Sequence, residues 1–130
     1  MKKKLNKKTK GFTLVEVIVV LVIIAILAAL LVPGLTGYID KARNQAAIVE
    51  GRQVLMAAQT ISTEAYGKGT ALTTLDSTQI GEVKTLAEVD GTPSDFVLVK
   101  GKVSTFKYTT AAGVVVNYDA STAAKFEVAT

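Results

Sequence analysis

Hydrophobic residues are concentrated in one continuous run close to the start of the chain. Between Phe12 and Val32 only Thr13 and Glu16 are polar, and residues 17–32 are all Val, Ile, Leu or Ala. In a helical conformation these 21 residues extend roughly 30 Å, which matches the thickness of the hydrocarbon layer of a membrane. The pattern predicts a membrane-length helix over residues 12–33.

An amphipathic helical pattern follows over residues 34–66. Apolar or small residues recur there at three- and four-residue spacing, which predicts a stripe that faces a core. The stripe consists of Ala47, Gly51, Val54, Leu55, Ala58, Ile61 and Ala65. Pro33 removes a backbone donor and Gly34 weakens a helix. We therefore predict a helix break at Pro33 and Gly34, either kinked or locally melted, with the helix resuming near Tyr38.

Residues 67–130 have the patterns of a small globular part. Gly67 is expected to end the long helix, and Asp76 is expected to cap a short one. The short helix has four apolar residues on one face, which are Ile80, Val83, Leu86 and Ala87. The sequence Asp-Gly-Thr-Pro at residues 90–93 then predicts a turn.

Beyond this turn the hydrophobic period changes to two. The alternation predicts four short strands, at residues 96–99, 103–109, 114–118 and 125–129. The links between these strands are short, which favours an antiparallel meander. The expected fold class is therefore α+β, with a long N-terminal helix packed against a small antiparallel sheet.

Positive charge is concentrated in a basic leader, residues 1–11. The leader contains six of the 15 Lys and Arg residues and no acid, which leaves nine cations and eleven acids for the rest of the chain. This balance gives little reason to expect nucleic-acid binding by the body of the protein. Lysines before the apolar run predict a single-pass orientation with a cytoplasmic N-terminus and everything after residue 33 outside the cytoplasmic membrane.

Several kinds of chemistry have no support in this sequence. The chain contains neither Cys nor His, which removes disulfides, thiolate metal sites and the commonest general base. It has no phosphate-binding loop and no nucleophile motif, so we expect neither an enzyme nor a cofactor. Scattered acids in the second half lack the spacing of a calcium loop and are interpreted as turn or surface residues, so no metal site is predicted. These acids are Asp90, Asp95, Asp119 and Glu127.

Three interpretations account for a basic leader followed by an apolar run. A cleaved secretory signal fits poorly, because the run is too long and lacks a good small-x-small cleavage site. An uncleaved signal anchor fits the length but leaves Glu16 unexplained, since an acid in an apolar environment is costly. In the third interpretation a protease cuts after Gly11. The new amino group of Phe12 then pairs with the Glu16 carboxylate of a neighbouring copy inside an apolar assembly.

The stretch KGFTLVEVIVVLVIIAILAALLVPGLTGYIDKAR resembles the N-terminal segment of type IV pilins and related pseudopilins, which carry a class III prepilin motif. The residues that carry the resemblance are the basic leader, Gly11, Phe12, Thr13, Leu14, Glu16, the apolar run and Pro33. The resemblance implies cleavage between Gly11 and Phe12 by a prepilin peptidase. It also implies N-methylation of Phe12 and filament assembly through Phe12 and Glu16.

The sequence thus leads to the hypothesis of a structural subunit, a homo-oligomer in a helical filament at the cell surface. The family implies a prepilin peptidase that also methylates, a membrane assembly platform and an ATPase motor as partners. Within the family, a motility or adhesion pilus and a DNA-uptake or secretion pseudopilus are all open at this stage. The alternative from another class is a non-polymerising single-pass membrane protein that displays a small extracytoplasmic binding domain.

Overall fold

The computed structural model describes residues 10–129, which excludes most of the basic leader. Along the chain the elements are α1 (Leu14–Gly67), α2 (Ser77–Ala87), β1 (Thr92–Val99), β2 (Lys102–Thr109), β3 (Val115–Asp119) and β4 (Phe126–Ala129). This order of elements confirms the predicted α+β class with a long apolar N-terminal helix and a small antiparallel sheet. The chain divides into a first unit that ends at Ile39 and a second that begins at Asp40.

The described part of the first unit is an apolar helix whose side chains are exposed. Phe12 is 89% exposed, and even Val17, among the least exposed of the large apolar side chains in the run, is 47% exposed. By length and composition α1 is able to cross a membrane, and none of its most apolar window is buried within the protein. An apolar surface of this extent requires lipid or other helices around it.

Helix α1 passes through Pro33 and Gly34 without interruption, which corrects the predicted local melting there. Pro33 lacks one backbone donor, but the residues on both sides retain helical structure. The Thr36 hydroxyl donates to the carbonyl oxygen of Pro33 at 2.9 Å. Continuation is favoured because starting a new helix requires a fresh nucleation step, whereas one proline removes a single hydrogen bond.

In the second unit the later part of α1 packs against the sheet through small side chains. The buried residues of α1 are Ala47, Gly51, Val54, Ala57, Ala58 and Ser62. The centre of the predicted stripe is therefore correct, while Leu55, Ile61 and Ala65 are only partly buried. A Cβ atom at Gly51 would lie 3.4 Å from the side chains of Phe126 and Val116, so the helix approaches the sheet closely at this glycine.

An aromatic cluster crosses the inner face of the sheet. The Phe106 ring lies 5.3 Å from Phe96 and 5.2 Å from Tyr118, measured between ring centroids. Phe126 continues the cluster, with its centroid 4.9 Å from that of Tyr118. Each of the four strands contributes one of these rings, and each such pair adds roughly 0.5–1.5 kcal/mol beyond its burial.

The sheet has the order β1-β2-β3-β4 with antiparallel pairing, so the predicted meander is confirmed. Val99 pairs with Lys102, and the two residues between them form the turn. Lys100 and Gly101 have φ values of 50° and 75°, as a type I′ turn requires at both positions. Without a Cβ at Gly101, the turn lies directly against the ring of Tyr66 on α1.

Two local predictions are corrected in this region. Strand β1 begins at Thr92, whereas the sequence predicted a turn through residue 93 and a strand from 96. Its register shifts between Ser94 and Val97, around Asp95 with φ 54°, and this irregularity interrupts the alternation that marks a strand. In α2, Leu86 is 57% exposed instead of facing the core with Val83 and Ala87.

Two polar side chains fasten α1 to the sheet. The Gln59 amide donates to the Gly101 carbonyl at 2.7 Å and accepts from the Val103 N–H at 3.0 Å. The Tyr108 hydroxyl donates to Glu50 Oε2 at 2.6 Å and accepts from the Gly91 N–H at 3.2 Å. Hydrogen bonds to an ionised group are among the stronger ones, so the Tyr108 contact is a main polar link in this unit.

Two glycines permit a matched test of this packing. A Cβ at Gly91 would overlap the Tyr108 hydroxyl and the Thr109 carbonyl, whereas a Cβ at Gly81, within α2, would meet nothing within 4 Å. We expect Gly91→Ala to lower the free energy of unfolding by at least about 1–3 kcal/mol. Gly81→Ala should raise it by up to about 1 kcal/mol. Urea unfolding in detergent, followed by circular dichroism, measures both, and equal effects of the two changes would contradict the packing described.

Tyr108 gives a pH-dependent prediction. Burial is the main cause that raises the pKa of the Tyr108 phenol above its ordinary value of 10.0, and the neighbouring Glu50 carboxylate raises it further. The folded protein therefore favours the neutral phenol more than the unfolded chain does. The resulting contribution to the free energy of unfolding is fully present below the pKa of Tyr108 in the unfolded chain. It is lost as the pH rises from that value through the pKa in the folded protein. We expect the unfolding free energy to fall more steeply above about pH 10 in the parent than in Tyr108→Phe. Parallel pH profiles of the two proteins would refute this.

Candidate functional site at the start of the long helix

Residues 10–13 precede α1 and have no regular secondary structure. Gly11 is exposed, and a Cβ built on it would meet nothing within 4 Å. Phe12 is exposed as well. The peptide bond between Gly11 and Phe12 is therefore accessible in a segment of irregular backbone.

Thr13 and Glu16 form a capping box at the first turn of α1. The Thr13 N–H donates to Glu16 Oε2 at 2.9 Å, and the Glu16 N–H donates to the Thr13 hydroxyl oxygen at 3.3 Å. These bonds satisfy two donors that a helix start leaves without partners. The negative charge of Glu16 also lies at the end of the helix where the dipole favours an anion.

The capping box is a role for Glu16 that the sequence analysis missed. Its signal was present, because Thr-Leu-Val-Glu at residues 13–16 has the S/T-x-x-E pattern of a helix N-terminus. The prediction considered the cost of an acid among apolar residues and its pairing with the Phe12 amine of another copy, but not a contact with the first turn of its own helix. A capped carboxylate has part of that cost offset locally, because it accepts a hydrogen bond from the backbone N–H of Thr13.

The Glu16 carboxylate keeps the capacity to accept further hydrogen bonds. Oε2 receives the Thr13 N–H, while the side chain is exposed and makes no salt bridge within residues 10–129. Its surroundings are apolar, since it shares a shallow groove with Phe12, Val15, Val19 and Val20. The arrangement presents one acid in a hydrophobic surface, four residues from Phe12.

The structure brings Gly11, Phe12 and Glu16 together at the start of α1. It does not bring Pro33 and Gly34 to them, because a helical rise of 1.5 Å per residue places Pro33 roughly 25 Å along the axis from Glu16. The predicted site residues therefore fall into two separate groups. The first group forms a compact junction, and the second lies in the interior of a continuous helix.

Two of the four scattered acids, Asp119 and Asp95, have contacts with other side chains. Asp119 accepts from the Ser121 N–H at 2.8 Å and from the Ser121 hydroxyl at 2.6 Å, and these bonds lower the pKa of the Asp119 carboxyl. Asp95 lies 3.6 Å from the Lys107 ammonium. In the described range, 10–129, no three Asp or Glu side chains are grouped so that they could hold a metal ion.

Comparison with known proteins finds a family match in the same N-terminal segment. Residues 6–32 match the family described as the prokaryotic N-terminal methylation motif. The type II secretion system core protein G of Vibrio cholerae is 52% identical over 48 residues, which are 37% of this chain and 32% of that protein. The protein of the same name from Escherichia coli is 54% identical over 41 residues, or 32% of this chain and 28% of the relative.

A third relative, the type II secretion system core protein G of Dickeya chrysanthemi, is 46% identical over 44 residues, covering 34% of this chain and 29% of its own length. The matched segments thus span less than a third of each of these relatives. No solved structure matches the chain significantly. The resemblance predicted from the sequence is nevertheless confirmed as far as residues 6–32 carry the prokaryotic N-terminal methylation motif and the chain is similar to these secretion-system proteins.

Proposed function

We propose that this protein is a structural subunit of a type IV pilus-like filament. It is inserted in the cytoplasmic membrane as a single-pass precursor with its N-terminus in the cytoplasm. It is then cleaved between Gly11 and Phe12, N-methylated at Phe12 and polymerised through α1 into a filament at the cell surface. The observation that carries this proposal is the exposed apolar helix of the first unit, which begins at an accessible junction and has one acid in its first turn.

The apolar surface of the helix can be buried in lipid in the precursor and against other copies of α1 in a filament. Burial of each large apolar side chain stabilises the protein by about 1.5–3 kcal/mol relative to its exposure to water. Leaving the whole helix exposed to water is therefore strongly unfavourable. Transfer from lipid to a helix bundle yields less, because both environments are apolar and only packing and polar contacts distinguish them. Extraction from the membrane therefore needs an external source of work, which supports an ATPase motor and an assembly platform as partners.

The Glu16 carboxylate favours one axial register between neighbouring α1 helices in the bundle. After cleavage Phe12 has a free amino group, and methylation leaves that amine positively charged. A Glu16 carboxylate that meets the amine of a neighbouring copy forms a pair in an apolar environment, whereas either charge alone is strongly unfavourable there. Only one axial offset between neighbouring helices brings the two groups together, so the pair favours a single arrangement of subunits.

Among the possible filaments, similarity to the type II secretion system core protein G supports a secretion pseudopilus. The family match covers residues 6–32, while the second unit, from Asp40 onward, contains α2 and the sheet. A prepilin peptidase that also methylates is the partner for the junction at Gly11. The membrane is the environment of the precursor in either role.

Cleavage is tested by the mass and first residue of the mature protein. Expressed with a prepilin peptidase, the parent should lose its first eleven residues and begin at Phe12. Gly11→Val should block this, because a branched side chain would obstruct approach of the peptidase to the backbone. Gly37→Ala, another glycine with open space around it, should be processed normally. A mature protein that still begins at Met1 would contradict the proposal.

Assembly is tested by two changes at Glu16 that separate its two roles. Glu16→Gln retains an oxygen that can accept the Thr13 N–H but has no charge, whereas Glu16→Ala loses both the cap and the charge. If pairing with an amine fixes the register, both variants should be cleaved yet yield far less sedimentable filament than the parent. Thr13→Ala serves as the control, because it removes one capping bond of roughly 1 kcal/mol and keeps the charge. Normal filament yield from Glu16→Gln would show that capping alone suffices and would overturn the pairing.

A further inference from the structure

A groove in the second unit lies between α1 and the segment that links β3 to β4. It is lined by Ile48, Arg52, Leu55 and Met56 together with residues 123–126. Met56 is 72% exposed, and the Arg52 guanidinium carbon lies 5.9 Å from the centroid of the Phe126 ring. The charged residues of the lining are Arg52 and Lys125, and both are cations. We call the surface formed by Ile48, Arg52, Met56, Lys125 and Phe126 the basic groove.

Helix α2 presents a surface of opposite charge. Leu86 is 57% exposed, and together with Glu88 it lines the depressions on both of its sides. Glu82, one helical turn before Leu86, lines one of them, and Lys84 lines neither. Every charged residue lining these depressions is an acid. We call Glu82, Leu86 and Glu88 the acidic ridge.

These charges have no ionic partners inside the described part of the chain. Its two salt bridges join Lys68 to Glu64 and Lys107 to Asp95, so both the basic groove and the acidic ridge keep their charges free. Exposed charges alone are ordinary on a protein surface. Here each set surrounds a large exposed apolar side chain, Met56 in the groove and Leu86 on the ridge, and this combination is typical of an interface.

The two surfaces adjoin along α1, because Met56 lines both the basic groove and the depression beside Leu86 and Glu88. Ile48, Arg52 and Leu55 flank its buried stripe toward the β3–β4 link, whereas Gln53 and Ala57 line the depression shared with α2. A contact between two grooves, or between two ridges, would bring like charges together. A groove-to-ridge contact joins unlike charges, and such a head-to-tail contact propagates from copy to copy.

We propose that the acidic ridge of one copy occupies the basic groove of the next copy in the filament. Leu86 then packs against Ile48, Met56 and Phe126 of the neighbouring copy. The carboxylates of the ridge face the cations of the groove. This inference rests on the proposed function, because a filament built on α1 is what brings successive second units side by side.

Disulfide cross-linking provides the test, since the natural chain has no cysteine. We expect co-expressed Glu82→Cys and Lys125→Cys chains to form disulfide dimers in isolated filaments, while either variant expressed alone forms none. The double variant should form a ladder of covalent multimers. Lys84→Cys is the matched control, because it lies on the same helix but outside the ridge and should not cross-link to Lys125→Cys.

The outcomes distinguish this contact from the filament itself. If filaments form but the Glu82→Cys and Lys125→Cys pair cross-links no better than the Lys84→Cys control, the contact is wrong and the proposed function stands. Dimers from one variant alone would indicate a contact between like surfaces and would also overturn the inference. If no filaments sediment, the proposed function fails, and this inference fails with it.

Charge reversal gives a second, independent measurement on the full chain. Arg52→Glu should reduce the yield of sedimentable filament several-fold, because it places an acid opposite the acidic ridge. Adding Glu82→Arg to that variant should recover part of the yield, whereas Lys102→Glu, a reversal at the β1–β2 turn, should leave the yield unchanged. Equal losses from Arg52→Glu and Lys102→Glu, with no recovery in the double variant, would refute the contact.

Discussion

The exposed apolar surface of α1 between Phe12 and Val32 is the constraint on which the rest of the molecule depends. The side chains of this run are exposed in the described part of the chain, and the second unit forms its own core from the later part of α1, α2 and the sheet. The first unit is therefore satisfied only by an environment that the chain does not itself supply. An external apolar environment explains the charge pattern, the capped start and the accessible junction of α1.

A single helix serves two kinds of surroundings because its composition changes along its length. Large branched side chains fill the first part, where contact is with lipid or neighbouring helices. In the second part small residues such as Ala47, Gly51 and Ala58 permit the sheet to approach closely. The transition occurs near Pro33 and Gly34, which remain helical but have open space around them. A helix of uniform composition could not have matched both environments.

Large-scale features of this fold were predictable because they rest on simple periodicities. The apolar run, the stripe on the later part of α1 and the alternation in β2 each arise from a simple pattern, and all three were found, although Leu55, Ile61 and Ala65 of the stripe are only partly buried. The early part of β1 escaped prediction because the irregularity at Asp95 breaks the alternation there. Of the two forms predicted at Pro33, a kink or local melting, melting is not found, since local propensity does not register the cooperative cost of ending and restarting a helix.

At the junction, Gly11, Phe12 and Glu16 were predicted as site residues from their order in the sequence alone. The hydrogen bonds between Thr13 and Glu16 needed coordinates, although a short motif pointed to them. The contacts of Glu50 with Tyr108 and of Gln59 with the β1–β2 turn had no such signal. They join residues 58 and 42 to 44 positions apart, and only the packed sheet brings them together.

The spacing of those two contacts along α1 determines how the molecule would carry mechanical load. Tension applied through the first unit enters the second along the helix backbone and reaches the Glu50 bond before the Gln59 bonds, which lie about 14 Å further on. The bonds are thus loaded one after another instead of all at once. Rupture would begin at the tyrosine, while the amide still held the hairpin to the helix and allowed the first bond to re-form when tension fell.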